Sequence, residues 1–232
     1  MIELAVSMII PTLILKKLSG EEQLGSTNSL ILALAYPLVY AIYQFAQERK
    51  VGFIPVLGFI SILLTGSVGL LQLDVKYIAI KEALIPSVIG VATLISLKTR
   101  YPIVKTMVYN EMIMKVDLID SILEDKGNTQ KFESALTKAT YILALSFLLS
   151  AILNYIVAKL VVTSPAGTAE FNDQLGTLTL ISYPAIALPS SIVLFVAIYY
   201  LFKQATLLTG LKFEELMNVD IDEEKPETPE EK

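Results

Sequence analysis

Two adjacent charged residues, Lys81 and Glu82, stand at the mouth of an apolar run that continues without charge from Ala83 to Leu97. Charges inside a membrane helix are costly, and those that occur commonly line a water-filled cavity or an ion pathway. One interpretation is therefore a polar site that relays protons or ions. The alternative is an interfacial pair, in which Lys81 reaches to the membrane surface and the helix N-terminus stabilises Glu82.

Asn154 is a third polar residue in an apolar stretch, and Lys159 follows near the far end of the same stretch. Its amide is placed to hydrogen-bond across to the level of Lys81. The alternative is an ordinary hydrogen bond between neighbouring helices, worth about 1 kcal/mol. We group Lys81, Glu82 and Asn154 as a candidate polar site inside the membrane.

Other chemistry finds little support in the sequence. The chain has no Cys, His or Trp, so zinc, haem and iron–sulfur centres lack their usual ligands and we expect no metal site or cofactor. There is no P-loop, nucleophile elbow or catalytic carboxylate pair, which predicts that the protein is not an enzyme. No basic patch alternates with aromatic residues, which argues against binding to nucleic acid.

The elements that must position these residues are membrane helices. The chain has 232 residues, of which 54% are hydrophobic and only 18% charged, and its uncharged runs approach the roughly 20 residues that a spanning helix needs. The sequence therefore predicts an all-α, polytopic membrane helical bundle with about six transmembrane helices. Their predicted ranges are 1–18, 29–46, 51–73, 78–97, 140–163 and 178–202.

The rest of the predicted organisation is simple. Residues 1–218 form a single membrane domain, in which 99–139 is a cytoplasmic loop with amphipathic helices lying on the membrane surface. Residues 164–177 form an outer loop. The acidic segment 219–232 forms a disordered tail that accounts for the whole net charge of −5.

The distribution of basic residues predicts the orientation. With six helices, most of the 18 Lys and Arg residues fall on the side that holds both termini and the loop 99–139, so this side is cytoplasmic. Lys98, Arg100 and Lys105 mark the inner end of the fourth helix, where we expect them to anchor the chain at anionic headgroups. The predicted location is the cell inner membrane, with multiple passes.

Several short segments resemble the intracellular septation protein A family, also called inner-membrane-spanning proteins, and a related group of membrane proteins loosely labelled transporters. They include Pro11 in the first helix, Tyr43–Lys50, LTGSVGLLQLD over Leu64–Asp74, Lys81, Arg100–Val104, LNYIVA over Leu153–Ala158 and EFNDQLG over Glu170–Gly176. The resemblance covers about residues 1–202. It implies a six-helix inner-membrane protein linked to envelope integrity and to the division or elongation machinery, with no established catalytic residues.

Two functional hypotheses follow. The first is a non-enzymatic membrane protein that organises the cell envelope in septation-like processes, through contacts with the lipid bilayer and with envelope or division proteins. The second is a small secondary transporter or channel, working as a homodimer around Lys81, Glu82 and Asn154 in the outer half of the membrane.

Overall fold

The computed structural model describes residues 2–48, 53–99 and 103–218. These residues are helical apart from turns and an isolated bridge between Met114 and Met217, so the predicted all-α class is confirmed. A π-helical segment, Tyr183–Ala187, joins α8 to α9 without a break. The α-helices are α1 (Ile2–Lys17), α2 (Gly25–Glu48), α3 (Phe53–Leu70), α4 (Lys76–Ser96), α5 (Ile103–Met107), α6 (Val116–Asp125), α7 (Thr129–Val161), α8 (Ala169–Ser182), α9 (Leu188–Thr209) and α10 (Phe213–Leu216).

Three of the described helices are long and apolar enough to cross a membrane. They are α4, α7 and the continuous helix Ala169–Thr209, which has 41 residues. The apolar stretches Gly25–Val39 and Phe59–Leu70 are shorter. Many large apolar side chains on α4 are exposed in a helical stripe, including Leu84, Val88 and Val91. Soluble monomers rarely expose so much contiguous apolar surface, whereas lipid tails cover it at no cost.

The stretch predicted to span the membrane over 140–163 lies mostly in α7, which begins at Thr129. The prediction of a loop over 164–177 is wrong in part, because much of this segment belongs to α8. α8 begins within the predicted loop because Thr168 caps it: the Thr168 hydroxyl accepts a hydrogen bond from the backbone N–H of Phe171 at 3.1 Å. Such a cap satisfies a backbone donor that the first turn cannot pair. Glu170 adds a favourable charge to that turn.

The described chain forms two compact units, where the sequence predicted a single membrane domain over 1–218. The first comprises Met1–Ala92 and Leu143–Leu194. In it α1 packs on both α2 and α8, and α2 packs on α3. Its core includes Leu30, Ile78 and Phe171, all of which are almost fully buried. These side chains come from three elements that are far apart in the sequence.

The second unit is formed by Thr93–Ile142 and the described part of Phe195–Lys232. Its buried side chains include Met114, Ile119, Leu123, Leu201 and Leu216. Ile119 and Leu123 lie on the apolar face of α6, so protein contacts bury that part of the face predicted to lie on the membrane. The position of α6 relative to a membrane stays a prediction.

Residues of the turn between α6 and α7, also in this second unit, cap the C-terminus of α9. Gly210 follows α9 with a φ of 78°, a left-handed conformation that glycine adopts without strain. The Nζ of Lys126 donates to the carbonyl of Thr209 at 2.6 Å, and the amide of Asn128 donates to the carbonyl of Leu208 at 3.0 Å. A cation here also complements the negative end of the helix dipole.

Candidate functional site

Lys81 lies inside the first unit with only 8% of its surface exposed. Its Nζ contacts Glu82 Oε1 at 2.6 Å, Thr65 Oγ1 at 2.8 Å and Ser61 Oγ at 3.2 Å. An ammonium group carries three N–H donors, and these contacts occupy all three. The ammonium is therefore held by protein partners.

Ser61 and Thr65 belong to this candidate site and are not among the residues predicted from the sequence. They are four residues apart on α3 and therefore share a face, so both hydroxyls meet the same lysine. A polar pair with this spacing in an apolar helix is the signal that could have found them. Its partner on another helix could not be found in this way, because spacing gives no information on which helices pack together.

A cavity of about 340 Å³ opens beside the charged pair. The Lys81 side chain is 8% exposed and the Glu82 side chain is 29% exposed, so the carboxylate is the more accessible of the two charges. Hydroxyl groups of Thr179 and Ser182 also line the cavity. The remaining lining residues are mainly apolar and come from α1, α2, α3 and α8, namely Pro11, Leu15, Leu30, Ala33, Leu34, Pro37, Ile62, Leu175 and Leu178.

Several helices around this cavity contain a proline. Pro86 lies within α4 and cannot donate the backbone hydrogen bond that the carbonyl of Glu82 would normally accept. Pro11 in α1 and Pro37 in α2 likewise lack a backbone N–H to donate, and both residues line the cavity. Ser182 is the last residue of α8 before the π-helical segment, which contains Pro184. Such segments occur frequently at functional sites.

Asn154 does not join the charged pair. Its amide nitrogen donates to the carbonyl of Ser150 at 2.8 Å and lies 3.3 Å from the Ser150 hydroxyl, so its hydrogen bonds stay within α7. Asn154 is also not among the residues that line the cavity beside Lys81. The structure thus brings together Lys81 and Glu82 of the predicted site and leaves Asn154 apart.

A second buried polar cluster lies where α1, α2 and α8 meet. The Asn172 side chain is 1% exposed and donates to the hydroxyl of Ser19 at 3.0 Å and to the carbonyl of Ser26 at 2.7 Å. Nearby, Lys16 pairs with Asp173 at 2.9 Å and donates to Thr177 at 2.8 Å. These contacts tie the predicted outer-loop segment to the first helix.

The predicted anchor residues belong to different surroundings. Lys98 and Lys105 are exposed, and Arg100 lies outside the described residues. Lys105 lines a smaller cavity of about 180 Å³ together with Tyr109, Asp120, Glu124 and Glu133. Burial raises the pKa of the Tyr109 hydroxyl above its usual value, and the hydrogen bond that it donates to Asp120 at 2.7 Å raises it further.

No group of three or more acidic, His or Cys side chains in the described part of the chain could hold a metal ion. Comparison of the chain with protein-family models, with curated proteins and with solved structures gives no match. The resemblance to the septation protein family therefore stays a prediction, and the geometry of the site has to carry the functional argument.

Proposed function

We propose that this chain is a multi-pass inner-membrane protein that binds a small polar solute in the Lys81–Glu82 cavity and moves it across the membrane. In this proposal all six predicted helices cross the lipid, with both termini and the loop 99–139 in the cytoplasm. The proposal selects the transporter hypothesis over the envelope-organising one. The latter stays a prediction based on the resemblance, since no described contact bears on an envelope partner.

The observation that carries the proposal is an ion pair beside a cavity in a helical unit whose outer surface is apolar. A purely interfacial pair needs no cavity, because its charges are solvated by headgroups and water. Here Lys81 is buried and Glu82 faces open space with hydroxyl groups around it. A polar site of this kind is costly in lipid, and such sites commonly mark a pathway for a solute or an ion.

The test is solute flux into proteoliposomes, with Glu82→Gln as the main variant. This change keeps the size of the side chain and removes the charge that compensates buried Lys81, so we expect strongly reduced flux. Thermal unfolding in detergent checks that the variant is still folded. Lys76→Gln is the matched control, because Lys76 begins the same helix and its side chain is 61% exposed in a pair with Asp74. Equal flux through both variants and the wild-type protein would contradict a transport role for the cavity.

A further inference from the structure

We infer that the solute is an uncharged molecule rich in hydrogen-bond donors, of the polyol class. This inference rests on the proposed function and specifies its substrate. It follows from three properties of the cavity beside Lys81 and Glu82: which of its polar groups still have free donors or acceptors, its net charge, and the nature of its walls.

The first property is a shortage of free donors. The three N–H donors of Lys81 are used by Glu82, Ser61 and Thr65. The Thr65 hydroxyl donates to the carbonyl of Ser61 at 3.0 Å. Ser61 and Thr65 both accept from Lys81, and Thr65 also donates within α3. This side of the cavity therefore offers an anion few hydrogen-bond donors. The remaining donor on this side is the Ser61 hydroxyl.

The opposite wall offers acceptors. The Thr179 hydroxyl donates to the carbonyl of Leu175 at 3.1 Å, and the Ser182 hydroxyl donates to the carbonyl of Leu178 at 2.7 Å. Each hydroxyl oxygen keeps lone pairs after donating its proton to its own helix. The second carboxylate oxygen of Glu82 adds a stronger acceptor. A ligand that satisfies this set must bring O–H or N–H donors of its own.

The second property is electrical neutrality. Lys81 and Glu82 compensate each other within 2.6 Å, so the cavity has no net charge from this pair. A cation or an anion would leave an uncompensated charge in an environment of low dielectric constant, where such a charge is expensive. An uncharged solute avoids this cost and can still hydrogen-bond to the carboxylate.

The third property is size and wall chemistry. A volume of about 340 Å³ exceeds the roughly 30 Å³ of one water molecule about tenfold, which is room for a small polyol. The side chains of Leu30, Leu34 and Leu175 form apolar walls, which can pack against the carbon atoms of a ligand but form no hydrogen bonds. A short carbon chain with hydroxyl groups along one side matches both surfaces.

The experiment measures uptake of glycerol, acetate and methylammonium by proteoliposomes, using stopped-flow light scattering for glycerol and radiolabel for the ions. We expect faster glycerol uptake than in protein-free vesicles and no acceleration of either ion. Thr179→Val should weaken glycerol binding about tenfold, the equivalent of one hydrogen bond. Thr137→Val is the matched control, since the Thr137 hydroxyl makes the same bond within its helix but is exposed.

The outcomes separate the two proposals. Protein-dependent uptake of acetate or methylammonium without glycerol would overturn the polyol inference and leave a transport function in place. Glycerol uptake that Thr179→Val does not change would also overturn the inference, because the solute would not pass this wall. Absence of protein-dependent uptake for all three solutes would overturn the transport function itself, and the inference with it.

Discussion

Lys81 and Asn172 are two buried polar side chains of the first unit with long-range partners, and they differ in what they hold. Lys81 joins α4 to α3 through hydroxyl groups beside an open cavity. Asn172 joins α8 to Ser19, which precedes α2, and to Ser26 in the first turn of α2. Solute binding is proposed for the first, which borders a cavity, and a structural role is proposed for the second, whose side chain is 1% exposed.

Replacement of Asn172 by Ala should destabilise the protein by about 1–3 kcal/mol, since a buried hydrogen bond to Ser19 and a partly buried one to Ser26 are lost. Asn154→Ala is the matched control, because Asn154 bonds only within α7; hydrogen bonds in membrane proteins average about 0.6 kcal/mol. Thermal unfolding in detergent micelles measures both variants. Equal destabilisation by the two changes would contradict the structural role of Asn172.

At this scale the sequence predicted the chemical types better than the partners. Lys81 and Glu82 stand out because a charge in an apolar run is visible without a structure. The hydroxyl partners Ser61 and Thr65 lie about 20 residues away on α3, and Asn172 was placed in a loop. Serine and threonine are common in membrane helices, where they also bond to their own backbone, so their presence alone does not indicate a site.

The longest helices are longer than the hydrocarbon core of a bilayer is thick. At roughly 1.5 Å per residue, the 41 residues of Ala169–Thr209 extend about 60 Å, whereas the hydrocarbon core is about 30 Å thick. The uncharged stretch 178–202 suits the core, so both ends of the helix continue beyond it. The predicted sixth helix, 178–202, covers this stretch but stops at its polar flanks. Hydropathy marks the boundary of the lipid and not the end of a helix.

The π-helical segment Tyr183–Ala187 lies within the same helix and contains Pro184. Within the first unit, the hydroxyl of Ser146 on α7 donates to the carbonyl of Ser190 at 2.8 Å, close to Pro189. A proline on its own frees a carbonyl that must find another partner in lipid. The helix nevertheless continues through Pro184 and Pro189, with a π-helical segment at the first of them, and this geometry depends on packing that a sequence does not show.

Gly90 controls the close approach of α4 to α7. A Cβ atom at this position would lie 3.1 Å from the Cβ of Phe147, which is closer than most such contacts in proteins. Gly90→Val should therefore separate the helices and destabilise the fold by about 1–3 kcal/mol. Ala92→Val, at an exposed position on the same helix, should change stability little. Thermal unfolding of both variants is the measurement, and an unaffected Gly90→Val protein would contradict this packing.

The described chain forms two compact units, whereas the sequence predicted one membrane domain over 1–218. The second unit is built mainly from the predicted loop, the end of the predicted sixth helix and the described segment that follows it. Its contacts include Lys115 N–H to the Leu216 carbonyl at 2.9 Å, a pairing of two segments that are about 100 residues apart. The amphipathic pattern of α6 indicated a buried apolar face, but periodicity could not distinguish a protein partner from a membrane surface.

Orientation is the prediction that belongs to the whole molecule. Because the chain has no Cys, Lys115→Cys and Glu170→Cys each create a single labelling site, and both positions are exposed. The excess of basic residues predicts that a membrane-impermeant thiol reagent labels position 170, and not position 115, in intact cells. Position 115 should react after permeabilisation, which controls for its accessibility. Labelling of position 115 from outside the intact cell would reverse the proposed topology.

The contacts of Asn172 with Ser19, and of Asp173 with Lys16, have a consequence for biosynthesis. The hydrogen bond between Asn172 and Ser19 joins residues separated by 153 positions. At about 5–20 residues per second, a ribosome needs about 8–30 s to synthesise the intervening segment. During that interval α1 exists while its polar partners have not yet been made. We expect chains that terminate before Ala169 to lack these contacts and to be less stable than the full chain.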